Sequence, residues 1–432
     1  MKRILCAMFI LLWLSAESQE FLTISGKVID KKSQETLSFA TIGLKKDQQG
    51  TITNLDGEFS FSIPKENAAD TLFVRYLGYE TYRASVSSML EEKNVIQLEE
   101  SVVQLAEVEV NNLTADQIMQ KVFERMPENY STDPFVIKGF FRDIRNQNDQ
   151  SSYLVESAVE VYDPGIKMNK EGNKKERRSF FIKDMRASEN KINELLTPVL
   201  NRFNFLHFTL ENNWYKYYAV SLKPSSASHY ELKDIIHSDG SYLFVIRLEE
   251  QKVTPGNDSS YVNLSYTLET LFYVDSETYA IHKIVHTEIP INETFVAIEP
   301  PYPGDSLYYR QKGWKIVREY GEYRGKMYPK YISQIYPFDI YNKKQDRVYL
   351  DLAFHMTFVT TDVQLENVKR PTGGKALRGK DLMLQTQKYN PAFWSNKQNV
   401  KLVPLTQKQI QGLEREKSLE EQFRFKKTKS KK

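Results

Sequence analysis

The chain has 432 residues, of which 41% are hydrophobic and 12% aromatic; this excludes a disordered chain and leaves room for two or three domains. The formal charge is +3, yet Arg424 to Lys432 alone carry six positive side chains, so the rest is slightly acidic and no basic face for nucleic acid is implied. The single cysteine, Cys6, lies in a segment that reads as a removable leader, which excludes disulfides, thiolate catalysis and a Cys-ligated metal from the mature chain.

The leader spans residues 1–18. Lys2 and Arg3 give it a basic start, Ile4 to Leu14 form an uncharged apolar run, and Ala16-Glu17-Ser18 places small residues three and one before a cut. The run is shorter than the roughly 20 residues that span a bilayer. An uncleaved anchor or a buried first strand is the competing reading. The expected location is the periplasm, the outer membrane or the cell surface, with no transmembrane span once the leader is removed.

From residue 19 to 110 the pattern alternates as strands do. Leu22–Asp30, Phe39–Leu44, Thr51–Thr53, Glu58–Ile63, Asp70–Tyr76, Tyr82–Val86 and Val95–Leu98 are the predicted strands, with Phe59, Phe61 and Ile63 on one face. Asn54-Leu55-Asp56-Gly57 predicts a turn in which Gly57 takes positive φ. Short strands at this spacing predict an antiparallel β-sandwich. The order Gly26-Lys27-Val28-Ile29-Asp30, Leu37 to Ile42, Gly50-Thr51-Ile52-Thr53, Asp56 to Phe61 and Leu77-Gly78-Tyr79 resembles the carboxypeptidase regulatory-like domain. That is a transthyretin-like sandwich found at the start of exported Bacteroidota proteins. The resemblance covers about residues 22–98 and implies a module that is not catalytic. In such proteins the module often precedes a TonB-dependent barrel; too few residues follow here for its 22 strands. Asp30, Asp47, Asp56 and Glu58 are spread over several loops, which suits turn chemistry rather than calcium.

Residues 111–368 predict a larger antiparallel α+β domain. Thr114-Ala115-Asp116-Gln117 reads as a capping box opening a helix over about 114–126, with Ile118, Met119, Val122, Phe123 and Met126 as its apolar stripe. A second helix is expected at 190–199. Strands are expected at Phe135–Ile144, Tyr153–Tyr162, Ser179–Met185, Tyr215–Val220, Tyr242–Glu249, Val262–Val274, Ala280–Glu288, Trp314–Tyr320, Tyr328–Tyr336 and Val348–Val359. Asp239-Gly240 and Asp275 to Thr278 read as hairpin turns. The sum is a large curved antiparallel sheet, possible as a half-barrel, with helices on its concave side. The Tyr273–Tyr279 hairpin resembles those of lipoprotein-carrier-type half-barrels. The whole chain, with Tyr389 to Trp394 and Leu419 to Phe423, resembles an exported Bacteroidota family to which no activity is attached. Residues 369–432 read as an extension with a basic tail, either a solvated end that needs no function or a segment that touches anionic envelope surfaces.

The motifs that carry chemistry are missing. None of the six histidines (His207, His229, His237, His282, His286, His355) has Glu three residues on, and none starts a His-Glu-x-x-His motif. His282 and His286 lie on a predicted strand, about 13 Å apart at ~3.3 Å per residue, and read as two exposed histidines. Gly374 to Asp381 resembles a P-loop but lacks the Ser or Thr that holds magnesium. No Gly-x-Ser-x-Gly elbow occurs. Glu156, Glu160 and Asp351 are indistinguishable from surface charge. Catalytic residues, cofactors and metal ligands are therefore expected to be none. The aromatic runs Trp214, Tyr215, Tyr217, Tyr218 and Tyr302 to Tyr309 are the candidate contacts for a sugar or lipid, with cross-strand packing as the competing reading. The expected function is non-enzymatic binding or scaffolding in the cell envelope, through the concave face or an exposed strand edge, with an envelope protein or a lipid or glycan as partner. The alternatives are a periplasmic lipid or lipoprotein carrier and an unrecognised hydrolase.

Overall fold

The computed structural model describes residues 20–44, 50–90, 94–101, 113–166, 178–192, 210, 230–238, 240–254, 264–291, 295–297, 307–372, 382, 389–396 and 403–424. The chain divides into two units, residues 1–100 with 401–404 and residues 101–400 with 405–432.

The first unit is a sandwich of β1 (Phe21–Asp30), β2 (Thr41–Leu44), β3 (Gly50–Ile52), β4 (Glu58–Pro64), β5 (Thr71–Arg75), β6 (Tyr82–Ser85) and β7 (Asn94–Leu98). The sheets run β4-β1-β7 and β3-β2-β5-β6. Phe59, Phe61 and Ile63 point inward as expected, joining Ile24, Val28, Ile42, Leu72, Val74 and Ile96 in one core. One pairing departs from the expectation: β1 and β7 run parallel, Gly26 beside Asn94. A parallel pair has no tight turn joining its strands, so no local residue signals it. Gly57 has φ +73°, and a Cβ there would come 2.5 Å from the Val28 carbonyl oxygen. Asn54 accepts from the backbone N–H groups of Asp56 and Glu58, and Asp30 from those of Lys32 and Ser33. Asp30, Asp56 and Glu58 thus belong to turns; Asp47 lies outside the described residues.

The second unit is one twelve-stranded sheet. Its strands are β8 (Phe135–Gln147), β9 (Gln150–Asp163), β10 (Ser179–Ala187), β11 (Tyr230–Ser238), β12 (Ser241–Thr254), β13 (Leu264–Asp275), β14 (Ile281–Pro290), β15 (Val296–Ala297), β16 (Leu307–Gln311), β17 (Trp314–Tyr323), β18 (Lys326–Asn342) and β19 (Arg347–Gln364). The path runs β10-β9-β8-β19-β18-β17-β14-β13-β12-β11, with β16 also paired to β18 and β15 to β16. Every pairing is antiparallel, and the sheet is not closed into a barrel. Two meanders, β8 to β10 and β11 to β19, are joined where β19 pairs with β8.

Both ends of the path are interrupted alike. The register shifts between Ile182 and Asp184 in β10, and between Leu232 and Asp234 in β11, leaving Lys183 and Lys233 as the extra residues. A bulge carrying a lysine prevents a second strand from pairing there.

Helix α1 (Ala115–Glu124) begins with the predicted capping box: Thr114 Oγ1 accepts from the Gln117 backbone and Gln117 reaches back to Thr114 N–H at 2.7 Å. Ile118, Met119 and Val122 pack on Phe244, Ile246, Phe272 and Ile284. The short α2 (Met126–Asn129) continues from it. Arg125 and Asn129 donate to the carbonyls of Glu277 and Thr278, fixing the β13–β14 hairpin under the helix. β11, β15 and β16 fall outside the predicted strands. The expected strand Tyr215–Val220 lies outside the described residues, as does most of the expected helix 190–199; its described start, residues 190–192, is not helical.

Candidate functional site: the inner face of the large sheet

Alternation and register assign each side chain to a face. We call inner the face on which α1 lies. Beyond α1, over β8 to β10 and β16 to β19, that face is mostly apolar: Phe141, Val155, Val159, Ile182, Ile316, Phe338, Ile340, Leu352, Phe354, Met356 and Phe358 form one buried cluster, with Ser157, Arg318 and Gln334 buried on the same face. Phe338 and Phe354 meet edge to face at 5.0 Å. Ile192, Leu210 and Leu382, from connections outside the strands, join the cluster.

Charge is set into this apolar face. Asp143 and Arg145, two residues apart on β8, both point inward and are almost wholly buried. Arg145 Nε and Nη2 donate to Asp143 Oδ2 at 3.0 and 2.8 Å. The guanidinium lies 5.3 Å from the ring centroids of both Tyr153 and Phe354. Removing charges from water costs several kcal/mol per ion, so the pair persists because Asp143 Oδ2 takes two guanidinium donors and the rings stabilise the cation.

A second polar group sits where β14, β16, β17 and β18 meet. Gly313, with φ +101°, separates β16 from β17; a Cβ there would come 2.5 Å from the Glu288 carbonyl oxygen. The extra residues at this break bring both Gln311 and Trp314 to the inner face beside Glu288. Gln311 Nε2 donates to Glu288 Oε1 at 2.7 Å, and Trp314 Nε1 donates to Glu288 Oε2. Tyr336 O–H donates to Gln311 Oε1 at 3.2 Å. Burial, with Tyr309 and Glu288 nearby, raises the Tyr336 phenol above its ordinary value, so it stays a donor. His286 packs against Trp314 with ring centroids 5.1 Å apart and planes tilted by 57°, and its Nδ1 lies 2.8 Å from Thr270 Oγ1.

The outer face differs between its ends. Over β8 to β10, Glu156 is fully buried between Arg142 and Arg186, whose Nε groups donate at 2.7 and 2.6 Å. Burial pushes the Glu156 carboxyl up, and the two guanidinium groups outweigh it and hold it below the usual carboxylate range. The chain after residue 389 covers this patch with α3 (Pro391–Ser395), α4 (Gln407–Leu413) and α5 (Leu419–Arg424). Arg186 is stacked between Trp394 at 4.4 Å and Phe423 at 4.6 Å. Trp394 Nε1 donates to Asp184, and Leu413 and Phe423 pack on Ile144 and Leu154. Over β11 to β13 the outer face carries an open ladder, Arg247 with Glu231, Glu249 and Glu269.

The predicted site residues fare unevenly. Trp214, Tyr215, Tyr217 and Tyr218, and the run Gly374 to Asp381, lie outside the described residues. Tyr308 and Tyr309 are on β16, with Tyr309 against the inner cluster. His286 is buried, not exposed, because its strand position faces inward; His282 is half-buried. Glu156 is no surface charge, whereas Glu160 and Asp351 pair with Lys183 and Lys312 at the surface. Among the described residues no group of three or more His, Cys, Asp or Glu is placed to hold a metal ion.

Residues 24–110 match the CarboxypepD_reg-like domain family. The sandwich is a CarboxypepD_reg-like domain. The rest of the chain falls outside that match. No curated protein matches the chain. Among solved structures, a LolA superfamily protein from Nitrosomonas europaea is 11% identical, with 60% of this chain and 96% of that one covered and a TM-score of 0.22. A putative outer membrane lipoprotein-sorting protein domain from Vibrio parahaemolyticus is 10% identical, covering 59% and 94% at a TM-score of 0.23. A DUF1329 family protein from Desulfovibrio piger is 8% identical, covering 60% and 96% at a TM-score of 0.26. At scores this low the likeness says nothing of what the chain binds.

Proposed function

We propose that this is a non-enzymatic envelope protein that holds an apolar, lipid-like ligand on the inner face of its second unit, with the CarboxypepD_reg-like domain as an accessory module. The observation that carries the reading is the inner face itself: a largely aromatic and aliphatic face, buried together with side chains from connections, into which a buried ion pair, Arg318, Gln334 and the hydrogen-bonded Glu288 group are set. Apolar lining with a few placed polar groups is the usual make-up of a small-molecule site. The side chains Ile192, Leu210 and Leu382 that close over this face belong to connections, not to the sheet, so a ligand can replace them without breaking strand pairing. The lysine bulges at both ends of the sheet count against scaffolding by strand addition. The carboxylates that would serve a hydrolase are committed elsewhere: Glu156 to two arginines, Asp351 to Lys312.

The test is mass spectrometry of the solvent extract of protein purified gently from its native envelope. A stoichiometric amphiphile is the expected result. A clean extract with a co-purifying protein overturns the reading in favour of a scaffold.

A further inference from the structure

Apart from any ligand the second unit holds, we propose that it meets an anionic lipid surface with the end of its sheet at the β18–β19 hairpin. Among the described residues of this unit, the large apolar side chains left exposed are Ile289, Ile291 and Val348, at 53, 55 and 45%. The strand register accounts for Val348. Ile340 pairs with Leu350 and Tyr341 with Val348, so Tyr349 is an extra residue. The bulge turns Tyr349 to the inner cluster and leaves Val348 in the open beside Tyr341. Tyr308 pairs with Tyr341 on its other side, and Phe295 packs on Tyr341 with ring centroids 4.7 Å apart. Ile291 comes only four residues before Phe295, so at ~3.3 Å per residue the exposed end of β14 lies within about 13 Å of these rings.

Charge selects the partner. The hairpin exposes three cations, Lys343, Lys344 and Arg347, against one carboxylate, Asp346, which accepts from the Tyr341 hydroxyl. One row back, Arg310 and Lys312 are balanced by Asp339 and Asp351. The excess positive charge therefore lies at the tip, where Lys343 Nζ is 5.8 Å from the Tyr308 ring centroid. Tyrosines with polar tips, aliphatic side chains and cations on flexible stems are the make-up of a protein surface that sits at headgroup depth. A hairpin tip is also small for a stable protein interface, which takes about 800 Å² from each partner. A lipid surface sets no such minimum, and each cation near an anionic one is worth about fivefold in affinity.

The experiment reads the tip itself. The full chain with Cys6→Ser and Val348→Cys has one thiol, which takes a polarity-sensitive fluorophore. It is mixed with phosphatidylcholine vesicles, with and without phosphatidylglycerol; flotation reports binding and circular dichroism reports folding. The expected result is a blue shift of the label on the anionic vesicles and none on phosphatidylcholine alone. The same label at Glu322→Cys, exposed toward the opposite end of β17, should not shift. Lys343→Gln with Arg347→Gln should raise the lipid concentration at half-shift at least tenfold, and Ile289→Ser with Ile291→Ser should raise it too. Flotation without a shift at Val348 puts the lipid contact elsewhere, the basic tail included, and overturns the proposal. An equal shift on both kinds of vesicle, or no flotation of folded protein, overturns it as well. So does a label that shifts with an envelope protein extract but not with vesicles, which assigns the tip to a protein partner. None of these outcomes alters the solvent-extract test of the bound ligand.

Discussion

The outer face of the large sheet carries two groups of arginine and glutamate, one near each end. Over β8 to β10, Arg142, Glu156 and Arg186 are covered by three short helices; over β11 to β13, Arg247, Glu231, Glu249 and Glu269 face water. The residue types are the same and the distances similar. Burial makes them different objects. The covered group fixes a geometry, because none of its members can be left unpaired away from water. The open ladder exchanges one set of hydrated charges for another and contributes little.

The largest expected effect breaks the covered group. Glu156→Ala leaves two guanidinium groups facing each other under the C-terminal helices, and unfolding in urea should show a loss of about 3–5 kcal/mol. On the inner face of the opposite end, Met119→Ala removes a fully buried side chain of α1 and should cost about 2–5 kcal/mol by the same measurement. Next comes a pH effect confined to the covered end. Burial, with Arg142 beside it, pushes the His355 imidazole down to about 4. The unfolded chain, with its pKa near the ordinary 6.5, takes up the proton first. Stability should therefore be complete above about pH 6.5 and fall by on the order of 1 kcal/mol as the pH drops toward 4, the partial exposure of the ring limiting the size. His355→Gln should flatten that part of the stability profile. The smallest effect is in the open ladder, where Arg247→Ala should change stability by no more than about 0.5 kcal/mol, and less in high salt. A loss there as large as that of Glu156→Ala would overturn the comparison.

The same contrast decides what could be read from residues alone. The sandwich strands, α1 and nine strands of the large sheet were legible, because alternation, a capping box and Asp-Gly turns are local signals. β11 escaped because the bulge at Lys233 breaks its alternation, and β16 because five residues give too little periodicity. Glu156 reads like any surface glutamate until β9 is set between β8 and β10. Glu288, Gln311 and Trp314 converge only through the break at Gly313. The C-terminal helices have five to seven residues each and owe their place to Trp394, Leu413 and Phe423 docking on distant strands. No short window of sequence contains those contacts.

The junction of β8 with β19 has a consequence in time. About two hundred residues separate these partners, and twelve residue pairs join them. At roughly 5–20 residues per second of synthesis, β8 waits some 10–40 seconds before its neighbour exists. Until then the first meander has one side of β8 unpaired, and the aromatic side chains it shares with β19 have nothing to pack on. Contacts so remote in sequence make for slow folding. The chain's most exposed moment is therefore the interval before its last long strand arrives, and a helper that shields apolar surface would be needed then.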